Sequence, residues 1–102
     1  MEDNSNDLIV VFSIINNYLV ERILVDNGSA IEVLMWDAFK KMGLDKSLLK
    51  PATPIYEFAN QPIKAKGLIT LSVKLGQRDN TLTEIAEFLV VDQPSTYNAI
   101  IS

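Results

Sequence analysis

The chain is strongly patterned from residue 8 onward. Leu8 to Ile15 reads Leu-Ile-Val-Val-Phe-Ser-Ile-Ile. β-Branched residues dominate it, and they fit a pleated surface better than a helix, so the run predicts a strand. Asn16-Asn17 follows, a turn pair, because Asn tolerates positive φ and can bond its own backbone. Tyr18 to Val25 predicts a second strand, charged at Glu21 and Arg22 and wholly apolar at Ile23-Leu24-Val25. The two strands together predict an N-terminal hairpin. Asp26-Asn27-Gly28 then breaks the pattern. Ser29 and Glu32 stand at capping-box spacing. Ile31, Leu34, Met35, Ala38, Phe39 and Met42 recur every three or four residues, the apolar stripe of a helix. The spacing therefore predicts one helix from Ile31 to Met42. Asp37, Lys40 and Lys41 lie off the stripe, the two Lys complementing the dipole in the last turn, and Gly43 is a C-terminal stop. The stripe itself reads as core, with Trp36 packing at its edge.

Leu44 to Thr53 reads as a connector carrying Lys50-Pro51. Ile55 to Phe58 and Ile63 to Ala65 are short extended pieces around Ala59-Asn60-Gln61-Pro62. Leu71, Val73 and Leu75 alternate with Thr70, Ser72 and Lys74, the period of a half-buried strand. Gly76 to Asn80 reads as a loop, and Thr83 to Val91 as a strand ending in Phe88-Leu89-Val90-Val91. Asp92-Gln93-Pro94-Ser95 turns again, and Ala99-Ile100-Ile101 is a last apolar segment. Many short strands, regular turns and one helix predict a mainly-β domain, a small barrel or a sandwich. Residues 1–7 are acidic and polar and read as a solvated, disordered tail; residues 8–102 read as the domain.

Composition narrows the chemistry. The 102 residues are 48% hydrophobic and 22% charged, the profile of one globular domain. There is no Cys and no His. That removes disulfides, thiol nucleophiles, Cys/His zinc sites and every triad with an imidazole base. Catalysis is left to carboxylates, hydroxyls, Lys, Tyr or an oxygen-ligated metal, and no spacing suggests a metal site or a cofactor. A net charge of −4 gives no general footprint for nucleic acid. No apolar run approaches the roughly 20 residues of a membrane span, and the acidic start is unlike a signal peptide. A cysteine-free domain suits a cytoplasmic setting.

The stretch that carries chemistry is Ile23-Leu24-Val25-Asp26-Asn27-Gly28-Ser29-Ala30. An apolar strand delivers a carboxylate to a tight turn, and Gly permits close approach there. An Asp-Asn-Gly turn by itself most often only caps local amides. The surrounding sequence, however, resembles the retropepsin-like aspartic proteases, above all the protease region of plant long-terminal-repeat retrotransposons of the gypsy type. That family reads hydrophobic-hydrophobic-Asp-Thr/Ser-Gly-Ser/Ala. The resemblance continues through Trp36-Asp37-Ala38-Phe39-Lys40-Lys41-Met42-Gly43-Leu44 and Gly67-Leu68-Ile69-Thr70-Leu71. It closes with Phe88-Leu89-Val90-Val91-Asp92 and Tyr97-Asn98-Ala99-Ile100-Ile101. It implies a small closed barrel with one helix after the catalytic loop.

The resemblance also implies an activity, endoproteolysis of a polyprotein by two carboxylates sharing one proton. Val91-Asp92-Gln93-Pro94 lacks the Gly and carries Pro, so Asp26 is the single catalytic acid, and a homodimer is implied to supply the second. Asn27, Gly28, Ser29 and Ala30 would support the catalytic loop, Asn27 standing where the family has Thr or Ser. Phe58, Ala59, Asn60 and Gln61 match the flap that folds over an extended peptide substrate. The family's C-terminal helix and interface strand have no counterpart after Ser102. The substitution at Asn27 and this short end leave an alternative open: a weak or inactive protease-like module that binds peptides or dimerises. Neither nucleic acid nor membrane is implied as a partner.

Overall fold

The computed structural model describes residues 9–29, 31–52, 57–58, 61–62, 65–77 and 80–102. The predicted tail and Ala30, Ala59 and Asn60 lie outside the described residues.

β1 (Ile9–Ile15) and β2 (Tyr18–Val25) form the predicted hairpin. Asn16 and Asn17 have φ of 53° and 65°, the two positive values that a two-residue turn matching strand twist requires. The ladder is not regular. Val11 pairs with Ile23 and Ser13 with Val20, so Glu21 and Arg22 face a single residue, a β-bulge with Arg22 at φ 55°. Two adjacent charges inside an apolar strand are its trace in the sequence.

Residues 31–42 depart from expectation. Glu32–Met35 is a strand, β3, and only Trp36–Lys41 is helix α1. The capping box is absent: Ser29 Oγ donates to Ile31 O at 2.6 Å, and the Glu32 carboxylate faces Ser102 instead. The reason is burial on both faces. Leu34 enters the barrel interior, while Val33 and Met35 pack on the other side with Leu89 and Val91. A helix cannot bury three consecutive side chains in opposite directions; a strand with neighbours on both edges does so by alternation. The apolar positions nonetheless end in the core as expected: Leu34, Met35, Ala38 and Phe39 are buried and Ile31 is half-buried. Gly43 does terminate α1, at φ 73°, its N–H donating to Lys40 O at 3.0 Å.

A short 3-10 turn, Lys46–Leu48, interrupts the connector. Its Asp45 carboxylate accepts from Ser47 N–H at 2.9 Å. That bond holds the Asp45 pKa below its ordinary value, helped by the Ser47 hydroxyl. A lowered folded pKa makes this a contribution present at neutral pH and lost as pH falls through the acid range.

Beyond it come β4 (Glu57–Phe58), β5 (Gln61–Pro62), β6 (Ala65–Gln77), β7 (Asn80–Val91) and β8 (Ala99–Ile101). β6 and β7 overrun their predicted bounds, and Gly76, Gln77 and Asn80 are strand rather than loop, pairing to the tip of one long hairpin. β4 and β5 form a separate two-stranded sheet. The rest closes as a barrel in the order β1-β2-β8-β3-β7-β6, β6 returning to β1 through Ile14–Lys74 and Ile15–Val73. The β2–β8 and β3–β7 pairs are parallel. The choice between barrel and sandwich is thus resolved to a barrel. Its interior is filled by Ile15, Val20, Ile23, Leu34, Phe39, Ile69, Leu71, Val73, Phe88, Val90 and Ala99.

Gly67 carries a specific constraint. It sits at a register shift in β6 with φ 145°, and an added Cβ would lie 2.7 Å from Lys50 O. There Lys50 and Leu68 exchange two backbone hydrogen bonds of 2.8 Å, docking the connector on the barrel. Gly67→Ala is therefore expected to destabilise the domain by about 1–3 kcal/mol, read as a lowered urea midpoint at unchanged slope.

Candidate functional site

β2 and β8 run parallel until Val25 meets Ile101, and the chain leaves the sheet at the next residue. The last act of the ladder is the Asp26 N–H donating to Ile101 O at 2.8 Å. The turn begins at once. Ser29 N–H donates to Asp26 O at 3.0 Å, and Gly28 N–H donates to Asp26 Oδ1 at the same distance. The carboxylate is thus oriented by its own turn, and its backbone is fixed by the end of β8. Gly28 has no positive φ, and among the described residues a Cβ there would meet Asp26 Oδ1 at 3.4 Å, an ordinary van der Waals contact, so its part in the turn is the N–H it donates to the acid.

Asp26, Asn27 and Gly28 are exposed, and Ser29 is half-buried. The turn does cap local amides, as Asp-Asn-Gly turns do, but the acid is left open to solvent at the barrel's end. Beside it, Ser102 donates to Glu32 from its N–H at 3.3 Å and its hydroxyl at 3.2 Å. These bonds tie the end of β8 to the start of β3, bracing the strand that holds Asp26. Of the expected flap residues, Phe58 and Gln61 pair with each other in the antiparallel β4–β5 sheet. Among the described residues no group of three acidic side chains is gathered to hold a metal.

Two features escaped sequence reasoning. The first is Asn98, which clamps the β2 bulge. Its Nδ2 donates to Glu21 O at 2.7 Å and its N–H to Arg22 O at 2.9 Å, while its carbonyl accepts from Met35 N–H at 2.9 Å. Arg22 Nε answers by donating to Thr96 O at 2.9 Å. A concavity of about 190 Å³ lies alongside, bounded by Tyr18, Arg22, Lys41 and Asn98 among others. The second is a ring of lysines around Trp36, whose members are too scattered in sequence to register as a basic run.

A six-stranded closed barrel with one short helix and a carboxylate turn at the end of its second strand is the architecture the sequence resemblance implied. No protein-family model and no curated protein matches the sequence. Solved structures are similar to this chain in fold. A retropepsin-like aspartic protease from Rickettsia conorii superposes with a TM-score of 0.66 at 23% identity, covering 94% of this chain and 67% of that one. The retroviral protease-like domain of Ddi1 from Leishmania major gives 0.70 at 20% identity, covering 92% and 70%. EIAV protease complexed with the inhibitor HBY-793 gives 0.62 at 16% identity, covering 99% and 86%. The fold is therefore that of the retropepsin-like aspartic proteases.

Proposed function

We propose that the chain is one protomer of a homodimeric aspartic endopeptidase that cuts extended peptides, in origin the protease of a plant gypsy-type retrotransposon polyprotein. The observation that carries the proposal is Asp26, oriented by Gly28 N–H, anchored through Ile101 and left exposed at the end of a retropepsin-like barrel. An exposed acid in one protomer is what a shared site needs, since its partner carboxylate comes from a second copy. Asn27, Gly28, Ser29 and Ala30 would hold the loop, and Phe58, Ala59, Asn60 and Gln61 would cover the substrate.

Two carboxylates that close cannot both ionise, so the pair holds one proton. The ionised member takes a proton from water as the water oxygen bonds to the scissile carbonyl carbon. The protonated member gives its proton to the carbonyl oxygen. Collapse of the diol then breaks the C–N bond with a proton passing to the nitrogen, releasing acid and amine and returning the pair to one proton. Activity is expected to follow a bell-shaped profile with its maximum at mildly acidic pH, reporting the pair and not either residue.

A second reading is a weak or inactive protease-like module, favoured by Asn27 in place of a hydroxyl residue. A thermal-shift titration with a pepstatin-type inhibitor separates the two. Stabilisation that vanishes in Asp26→Ala supports an assembled pair, and none in the wild type supports the module. Mass in solution provides the companion measurement, because a strict monomer at high concentration assembles no pair.

A further inference from the structure

Trp36 opens α1 half-buried, with one face stacked on Phe39 at a centroid distance of 5.0 Å. Three ammonium groups converge on the same indole: Lys66 Nζ at 4.6 Å from the centroid, Lys40 at 5.7 Å and Lys46 at 5.9 Å. Lys46, Lys50 and Lys66 also line a concavity of about 380 Å³ with Trp36, Leu49 and Pro51. Four of the chain's nine basic residues thus gather around one groove in a protein of net charge −4. Among the described residues the single ion pair there is Lys40–Asp37, at 3.8 Å and largely exposed, and no carboxylate neutralises Lys46, Lys50 or Lys66. Like charges held this close repel. The π-face offsets part of that cost, and an incoming anion removes more of it.

We infer that this groove docks an acidic peptide segment, its carboxylates meeting the lysines and one apolar side chain lying against Trp36, Leu49 and Pro51. The floor is apolar and the rim cationic, and the space is at the lower end of the roughly 300–1,000 Å³ of small-ligand pockets. Nucleic acid fits less well. Single-strand binders offer free aromatic faces to bases, whereas Phe39 takes one face of Trp36 and Lys66 stands over the ring. Beyond the groove, 13 acidic residues oppose a continuous polyanion. The groove has Lys and no Arg among its lining residues, which suits point-charge contacts with carboxylates more than forked phosphate recognition. The inference is independent of Asp26 and stands whether or not the chain cleaves peptides.

Trp36 is the only tryptophan, so its emission reports the groove directly. The probe is a capped acidic hexapeptide with one central leucine, titrated at low salt beside its Gln/Asn analogue and a short oligothymidylate. Saturable change with the acidic peptide alone is expected, weakening as salt rises from about 50 to about 500 mM. Lys46→Glu/Lys66→Glu, both at exposed positions, is expected to weaken it at least about tenfold, because two attractive charges become two repulsive ones and tenfold is only about 1.4 kcal/mol. Lys46→Gln/Lys66→Gln serves if the reversal prevents folding. Equal binding of the neutral analogue, tighter binding of the oligothymidylate, unchanged affinity in the folded variant, or no change with the acidic peptide each overturns the inference.

Discussion

Asp26→Asn is expected to abolish peptide-bond hydrolysis, by at least about 10⁴-fold, while the barrel still folds. The magnitude follows from the proposed chemistry. In a homodimer one substitution removes both carboxylates, hence the general base and the general acid together, and each such role contributes about 10²–10⁴-fold. Folding should survive because the side chain is exposed, and the bond it makes among the described residues, from Gly28 N–H, is to an oxygen that Asn retains. The backbone tie to Ile101 is untouched. Mixing sharpens the test. Wild type and Asp26→Asn, refolded together in equal amounts at fixed total concentration, give about one quarter of dimers with two acids if pairing is random. Activity near that quarter identifies a site shared by two copies. Activity near one half means that each copy works alone, and the two-carboxylate proposal is then wrong.

What made this turn legible was local chemistry. An apolar strand ending in Asp-Asn-Gly announces a carboxylate at a bend. The tie that steadies it was not legible, because Ile101 lies 75 positions away and pairs with Val25 in a parallel ladder. The same division runs through the fold. Asn16-Asn17 names its own hairpin, Gly43 its own helix end, and Leu71, Val73 and Leu75 alternate visibly. Ile31 to Met35 misled because spacing of three and four fits a helix and also a short central strand running into one. Only the neighbours β7 and β8 decide the matter, and they arrive more than fifty residues later. The Trp36 groove was hidden for a similar reason: Lys40, Lys46, Lys50 and Lys66 come from the helix, the connector and β6, and meet only when Lys50 bridges Leu68. Ala30, Ala59 and Asn60 lie outside the described residues, so their proposed roles rest on the resemblance in sequence.

Phe88→Ala is expected to destabilise the domain by about 3–5 kcal/mol, against a total of about 5–15 kcal/mol for a domain of this kind. Phe88 lies in β7 between Glu32 of β3 and Ile69 of β6, with 0% of its surface exposed, in the middle of the barrel interior. Truncation there removes a ring that a closed barrel cannot collapse to replace, since six strands fix one another's spacing. Phe88→Leu keeps most of the volume and is expected to cost less than about 1.5 kcal/mol. Phe12→Ala provides the contrast. Phe12 also sits in an apolar strand, yet it points outward from β1 with 70% exposure, so its truncation should change protomer stability by no more than about 0.5 kcal/mol. Urea unfolding of the three variants checks the ordering. If Phe12→Ala matched Phe88→Ala in a monomeric protomer, the inside and outside of β1 would have been assigned the wrong way round.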